Sequence, residues 1–437
     1  MRSKFLRWCV CVFWACAALS GATPARAAGS VVVVGGALRD DNQAVWQRVV
    51  DLAGGPGAHI AVLATASGEP LAAAAGIVAN LQRRGAVAQA IPVAPSIPGI
   101  DLAAAVRDPR WITQLRTAGG VFFSGGAQAR LVDTLQRGGR STPLLDAIRA
   151  VHERGGVIAG TSAGAAVLSA LMFREAPEVR AALRLPLRDG IEVDRGFGFL
   201  PSHVVVDQHF VQRGRIARLL PLMASRGIAL GLGVEEDSAA VVQGQQVTVI
   251  GARGVLVADL TEAQSDAAIP AFNLRGARLH WLESGDRYDL ATRAAETGKP
   301  TANRSAAAKG SANAAAPADA PADAPADAPA DAPADVNATA FHADLLAPGT
   351  LVAAMQRVVE SGGRPAVGLS FSPGVMLGHE WRLYADAGTQ GWTGQRSDQA
   401  TVIGLRLDLL PVRMAQPLYV PLTVQLTVPL TVPLTTP

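Results

Sequence analysis

The sequence predicts an α/β fold, a doubly wound and mostly parallel sheet followed by a C-terminal β-rich extension. Short β-branched runs recur between residues 30 and 259, at Val31–Val34, His59–Ala64, Gly120–Ser124, Gly156–Ala159 and Ile228–Val234. Apolar runs of this length read as strands covered on both faces. Between them lie Asn42–Leu52, Leu71–Arg84, Ala127–Gln136 and Leu144–Arg154, whose apolar residues recur at mixed three- and four-residue spacing, as helices packed on a sheet require. The alternation of the two patterns is that of βαβ units, and such sheets place their sites at strand C-termini.

The elements follow in order. Arg2, Lys4 and Arg7 precede an apolar run from Trp8 to Leu19, and Ala25-Arg26-Ala27 follows as a small-x-small cleavage site. This is the pattern of a secretory signal peptide over 1–27, with export to the periplasm or beyond the cell as the expectation. Cys9, Cys11 and Cys16, all the cysteines, fall inside it. The processed chain would therefore have no thiol for catalysis, disulfides or metal binding. The formal charge is +3 with 39 basic and 36 acidic residues, but Arg2, Lys4, Arg7 and Arg26 sit in the leader, which has no acid. The remainder is close to neutral, which argues against a nucleic-acid partner.

Residues 30–262 form the expected catalytic unit, and 263–296 a β extension. Val247–Ile250 and Val255–Ala258 read as strands, and Ala271–Leu290 as further β structure. Over 297–340 the composition collapses to Ala, Pro, Asp, Ser and Asn, with four-residue units opening at Pro317, Pro321, Pro325, Pro329 and Pro333. Regular proline removes backbone donors and regular aspartate keeps the chain hydrated, so an extended linker is expected. Residues 341–412 resume an α+β pattern, with a helix at Pro348–Ser361 and strands at Trp381–Ala385 and Ala400–Leu410. Pro-Leu-Thr-Val repeats close the chain over 413–437. No segment beyond the leader is apolar for the roughly 20 residues that a membrane span needs.

The chemistry concentrates in three places. Val157-Ile158-Ala159-Gly160-Thr161-Ser162-Ala163-Gly164 runs an apolar strand through Gly-x-Ser-x-Gly into a helix-forming stretch. That is the context of a nucleophile elbow, where Ser162 is exposed on a sharp turn and the Ala163 amide can stabilise an oxyanion. A serine hydroxyl needs a base. His59, His152, His280, His342 and His379 lie on strands, a helix face or beyond the linker, and no pair has metal-ligand spacing. His209 instead ends Val204-Val205-Val206-Asp207-Gln208-His209, where a buried strand delivers three polar side chains, and Arg213, Arg215 and Arg218 follow as anion-binding candidates. A third strand ends in Glu235-Glu236-Asp237. Any of these carboxylates could orient the histidine, and chemistry alone does not separate them.

Together these motifs resemble the cyanophycinases of peptidase family S51, whose fold is related to the flavodoxin-like, class I glutamine amidotransferase domains. The likeness spans roughly residues 30–259. It rests on Val32-Val33-Val34-Gly35-Gly36, Phe122-Phe123-Ser124-Gly125-Gly126-Ala127-Gln128, Gly160-Thr161-Ser162-Ala163-Gly164-Ala165, Asp207-Gln208-His209-Phe210 with the three arginines, and Gly231-Leu232-Gly233-Val234-Glu235-Glu236. The resemblance implies that Ser162 is nucleophile, His209 general base and Glu236 its orienting acid. It implies oxyanion donors at Gly126 and Ala163, and a substrate site lined by Gln128, Asp207, Gln208, Arg213, Arg215 and Arg218.

The family's substrate is a poly-aspartate backbone with arginine amide-linked to each side chain, cut to β-aspartyl-arginine. The arginines would then grip carboxylates, and Asp207 or a neighbouring acid would receive a guanidinium. No cofactor or metal is implied. The resemblance also implies a homodimer, acting on cyanophycin polymer or Asp-Arg peptides without a membrane once the leader is cut. Ala127, Ala217 and Glu235 depart from the family pattern, the first at a position that bears on specificity. Alternative readings are another S51 enzyme, such as an aspartyl dipeptidase, and a non-catalytic binding protein.

Overall fold

The structure is a computed structural model that describes residues 29–175, 178–300, 304–305, 339–393 and 400–414. The expected signal peptide, all of the linker's Pro-Ala-Asp units and the repeat tail from residue 415 lie outside the described residues.

Two sheets make up the molecule. The parallel heart of the first is β1 (Ser30–Val34), β2 (His59–Leu63), β3 (Val87–Ala90), β4 (Gly120–Phe123) and β5 (Val157–Thr161), in spatial order β1-β5-β4-β2-β3. Alternation along β1 explains its all-apolar sequence. Val32 and Val34 pack with Val45, Trp46 and Val49 of α1 (Gln43–Leu52) and with Ala74 and Leu81 of α2 (Pro70–Gln82). Val31 and Val33 face the opposite layer. That layer is built from α3 (Leu102–Ala105), α4 (Pro109–Thr117), α5 (Gln128–Leu135) and α6 (Pro143–Glu153), through residues such as Leu115, Leu131 and Ile148. The doubly wound expectation holds here, with helices covering both faces of a parallel sheet. A short helix, α7 (Ala163–Ala166), follows β5, and a ribbon of β6 (Leu171–Phe173) with β7 (Val193–Arg195) lies beyond it.

The strands bearing His209 and the three carboxylates lie outside that sheet. β8 (Val204–Gln208) and β9 (Leu230–Val234) are parallel to each other and head a second sheet. The connection between β8 and β9 is α8 (Ile216–Arg226). β10 (Ser238–Gln243) and β11 (Gln246–Gly251) return antiparallel to the first sheet, beside β1. β12 (Gly254–Asp259) and β13 (Leu274–Glu283) extend the second sheet from β9, while β14 (Arg287–Asp289) and β15 (Ala295–Glu296) extend the first from β11.

The C-terminal region completes the second sheet. The strand pair β16 (Arg304–Ser305) and β20 (Gln390–Thr393) lies beside β21 (Ala400–Arg413), which bonds to β13 on one side and to β19 (Leu377–Tyr384) on the other. β18 (Ala366–Ser372) and β17 (Ala340–His342) finish the order. The expected helix at Pro348–Ser361 is α9 (Thr350–Glu360), which packs Leu351, Met355 and Val358 into the same core as Leu219, Leu222 and Met223 of α8.

The boundaries expected at 262/263 and 340/341 are therefore not boundaries between sheets. Each segment lends strands to sheets that the catalytic unit begins. Buried polar contacts reinforce the join: Lys299 pairs with Glu283 and donates to the Thr401 hydroxyl at 2.6 Å, and the backbone N–H of Ala400 donates to Glu283 at 2.8 Å. Among the described residues no helix is long and apolar enough to cross a membrane.

Candidate active site

The C-terminal ends of β5, β8 and β9 converge on the end of β1. Four backbone hydrogen bonds make the joint. Ser162 N–H donates to the Val34 carbonyl at 3.1 Å, His209 N–H to Gly35 at 2.7 Å and Asp237 N–H to Gly36 at 2.8 Å, while Gly35 N–H donates to Ser238 at 3.0 Å. The first sheet thus supplies Ser162, and the second supplies His209 and Glu236. Four of the six non-glycine residues at positive φ among the described residues sit here: Ala37, Ser162, His209 and Asp237, at φ 46°, 53°, 48° and 53°. Strained backbone of this kind persists only where surrounding structure over-determines it, and it clusters at functional sites.

Two glycine requirements are steric. A β-carbon on Gly160 would lie 2.1 Å from the Gly164 carbonyl oxygen, so the elbow closes only without one. At Gly36 (φ 103°) it would lie 2.3 Å from the His209 ring, so the imidazole lies directly against the Gly36 backbone.

Ser162 Oγ is 2.9 Å from His209 Nε2, and His209 Nδ1 is 2.6 Å from Glu236 Oε1. An ionised carboxylate only accepts, so the proton of a neutral ring belongs on Nδ1, leaving the Nε2 lone pair for the serine hydroxyl. Burial is the main cause that draws the His209 pKa below its ordinary 6.5. The Glu236 hydrogen bond opposes it, and the charges of Arg213 and Arg215 add to the lowering. A neutral imidazole facing a hydroxyl is the form that can accept its proton.

The structure separates the three consecutive acids. Glu235 is buried, and its carboxylate accepts backbone N–H groups from Val211 at 2.5 Å, Gln212 at 3.0 Å and Glu236 at 2.9 Å. It fixes the loop that follows His209. Asp237 accepts from Arg39 N–H at 3.0 Å and from Asn42 Nδ2 at 2.8 Å. Only Glu236 meets the imidazole.

The residues named for substrate binding divide in two. Asp207 is 2% exposed and Arg218 4%. Arg218 Nε donates to Asp207 Oδ2 at 2.7 Å and Nη2 to Oδ1 at 2.6 Å, with the guanidinium carbon 4.3 Å from the centre of the Phe173 ring. The Asp207 carboxylate is thus engaged by a protein guanidinium, and the expectation that it receives one from substrate is corrected. Gln208 is also buried, and Arg215 donates to its backbone carbonyl at 2.5 Å and to its side-chain oxygen. Burial is the leading cause that pulls the Arg215 pKa down to about 10, so it stays charged at neutral pH. These groups form the wall behind the site.

Arg213 is exposed, four residues past His209. Gln128 is half-buried at the start of α5 and donates to the Phe173 carbonyl at 2.9 Å. A β-carbon on Gly125 would lie 3.3 Å from Ser162 Cβ, so the Gly125-Gly126 loop lies against the serine. Gly126 (φ 138°) is exposed, and Ala163 opens α7 directly after Ser162. Among the departures from the family pattern, Ala127 is the exposed N-cap of α5, whereas Ala217 is fully buried in α8.

Sequence reasoning missed Gly36 as a platform for the imidazole, Glu235 as a loop anchor, and Arg39 and Asn42 as partners of Asp237. The Gly35-Gly36 pair closing a strand was the available signal for the first. The others depend on contacts far apart in sequence. Among the described residues no group of three or more His, Cys, Asp or Glu side chains is placed to hold a metal.

Comparison with known proteins agrees with the motifs. Residues 34–250 match the model of peptidase family S51. A cyanophycinase from Geminocystis herdmanii is 35% identical over 272 residues, covering 60% of this chain and 94% of that one. One from Trichormus variabilis is 30% identical over 281 residues, covering 61% and 88%. Among solved structures, a peptidase from an acI-B1 Actinobacterium aligns with 61% of this chain and 98% of its own at 21% identity and a TM-score of 0.44. The chain belongs to peptidase family S51 and is a serine-type peptidase.

Proposed function

We propose that this protein is an exported cyanophycinase that releases β-aspartyl-arginine by serine-type hydrolysis of the polymer's aspartate backbone. The observation that carries the reading is the unbroken contact chain Ser162–His209–Glu236, in a chain that matches nearly the whole length of a named cyanophycinase. His209 takes the Ser162 proton as the oxygen attacks the backbone carbonyl. Glu236 steadies the imidazolium that forms, and the amides of Gly126 and Ala163 receive the oxyanion. His209 then hands the proton to the departing amine, and water deacylates the serine by the reverse relay. Arg213, the exposed arginine of the cluster, meets substrate carboxylates, while Asp207 and Arg218 hold the wall behind it.

Mass spectrometry of products from insoluble cyanophycin, with wild type and Ser162→Ala in parallel, tests the reading. Dipeptide from the wild type alone supports it. Release of dipeptide by both proteins removes Ser162 from its role. Release by neither, with cleavage of Asp-X dipeptides by the wild type, moves the chain to the aspartyl dipeptidase alternative. Export rests on the Arg2, Lys4, Arg7 and Trp8–Leu19 pattern with Ala25-Arg26-Ala27. It is checked by the N-terminus of the protein recovered outside the cytoplasm, and the expected homodimer by its mass in solution.

A further inference from the structure

The turn between β14 and β15 of the first sheet meets β12, β13 and β21 of the second around a cavity of about 430 Å³, whose lining includes Asp259, Glu262, Arg278, His280 and Arg293. Small-molecule sites have volumes of this order. Asp259 pairs with Leu230 at the start of β9, and the other end of that strand leads to Glu236, so the cavity is remote from the triad. All of its lining residues lie beyond residue 250, where the family model ends.

Ten buried side-chain polar atoms lack a hydrogen-bond partner among the described residues, and four of them gather here: both ring nitrogens of His280, the Tyr288 hydroxyl and Arg293 Nε. Buried polar groups are nearly always paired, so such a cluster marks a place where another molecule supplies the partners. His280 is 3% exposed and lines the cavity, with the Tyr288 ring set against it edge-on at 5.3 Å. Burial is the main cause that draws the His280 pKa down to about 4, and the Arg278 charge adds to it. The ring is therefore uncharged at neutral pH, with one donor and one acceptor to offer.

The charges of the lining balance, two carboxylates against two guanidiniums. Glu262 and Arg278 are already committed: Glu262 meets Arg406 at 2.7 Å and Arg278 at 3.2 Å. Asp259 and Arg293 are only loosely opposed. Asp259 Oδ1 accepts from the Thr261 N–H and hydroxyl, while Oδ2 lies 3.9 Å from Arg293 Nε, beyond hydrogen-bond reach. The cavity thus presents one open carboxylate and one open guanidinium beside a neutral imidazole. A purely anionic or purely cationic ligand would meet a like charge there, whereas a molecule carrying both signs satisfies both groups.

We infer that this cavity is a second small-molecule site, which takes a zwitterion of amino-acid or dipeptide size. Asp259 receives the ligand's cationic group, Arg293 its carboxylate, and His280 a polar group between them. The site goes beyond the cyanophycinase reading and does not depend on it. A free amino acid and the dipeptide product of that reading share the required chemistry, and the test separates them.

Titration calorimetry of wild type, Arg293→Asn and Asp259→Asn tests it, with L-glutamine and β-aspartyl-arginine as zwitterions and agmatine and succinate as ligands of one charge sign. Asparagine tolerates the positive φ of residue 293, 60°, and at 259 it still accepts from Thr261. At least one zwitterion should bind wild type, and the tighter of the two identifies the source. Each variant should weaken that binding about tenfold or more, the scale of one lost charge-assisted contact, and agmatine and succinate should bind wild type more weakly by a similar factor. Circular dichroism shows that the variants are folded. If Asp259→Asn is not, Arg293→Asn decides alone, since its side chain is 37% exposed. Binding of neither zwitterion overturns the site and leaves water as the partner of the four unpaired atoms. Affinity unchanged in a folded variant, or equal affinity for agmatine or succinate, also overturns it. Because no turnover is measured, none of these results bears on the cyanophycinase reading, which the product analysis of insoluble polymer decides separately.

Discussion

The two sheets that meet at the active site treat polar side chains in opposite ways. β1, β4 and β5 carry no ionisable side chain, and the strand before Ser162 is buried and apolar to its last turn. β8 and the turns after β8 and β9 bury Asp207, Gln208, His209 and Glu235, with Arg218 of α8 beneath them. The difference follows from what each side must supply. A nucleophile needs a sharp, exposed position, and an apolar strand ending in glycines provides it. A base and its acid need fixed charges and a fixed tautomer, so the second sheet carries a network of buried polar groups whose members all have partners.

The largest effect should come from the first sheet. Ser162→Ala should lower kcat about 10^6-fold while leaving the thermal unfolding midpoint near wild type. A large drop in that midpoint would mean that the serine holds the elbow together. On the second sheet, Glu236→Gln should cost about 10^4-fold in kcat because it disturbs the tautomer of His209. Glu235→Gln should instead act on stability, by about 1–3 kcal/mol in urea titration, since an amide cannot accept from all three backbone donors. Similar kinetics for the two variants would erase the division of labour read from their contacts.

Arg218→Met removes the closer, two-point partner of a carboxylate 2% exposed and leaves it only Arg215 Nη1 at 3.4 Å as a charged partner, and should cost about 3 kcal/mol of stability. If it raised KM with stability intact, Arg218 would face substrate after all. Gly36→Ala drives a methyl into the His209 ring and should lower kcat about 10^2-fold in a folded protein, because a misplaced base loses near-attack geometry. The smallest effect probes electrostatics. Arg213 and Arg215 help hold the His209 pKa below 6.5. Removing a positive charge with Arg213→Gln makes protonation easier and raises that pKa. The acid limb of kcat/KM, where activity is lost as His209 gains a proton, should then move to higher pH. A shift to lower pH would contradict the sign.

The contrast between the sheets also explains what could be read from sequence. Val31–Val34 and Gly-x-Ser-x-Gly are local patterns, and local physics dictates both, so the parallel sheet and Ser162 were visible. His209 was visible because three polar residues ending a buried strand are unusual. The choice of Glu236 over its neighbours was not, since it depends on which carboxylate the Gly36 and Val211 backbones leave facing the ring. Asp207 and Arg218 misled for a related reason. A buried ion pair and a pair of substrate ligands contain the same residue types, and only exposure tells them apart. The second sheet was hidden because β13 meets β21 across more than a hundred residues, with the linker in between.

The central claim is that a serine on one sheet is activated by a neutral histidine held on the other. Peptide mapping of the adduct formed with a serine-directed phosphonate, in wild type and His209→Ala, tests it most directly. The account predicts one adduct, on Ser162, whose formation nearly stops when His209 is removed. An adduct on another residue, or equal labelling of Ser162 without His209, would contradict it.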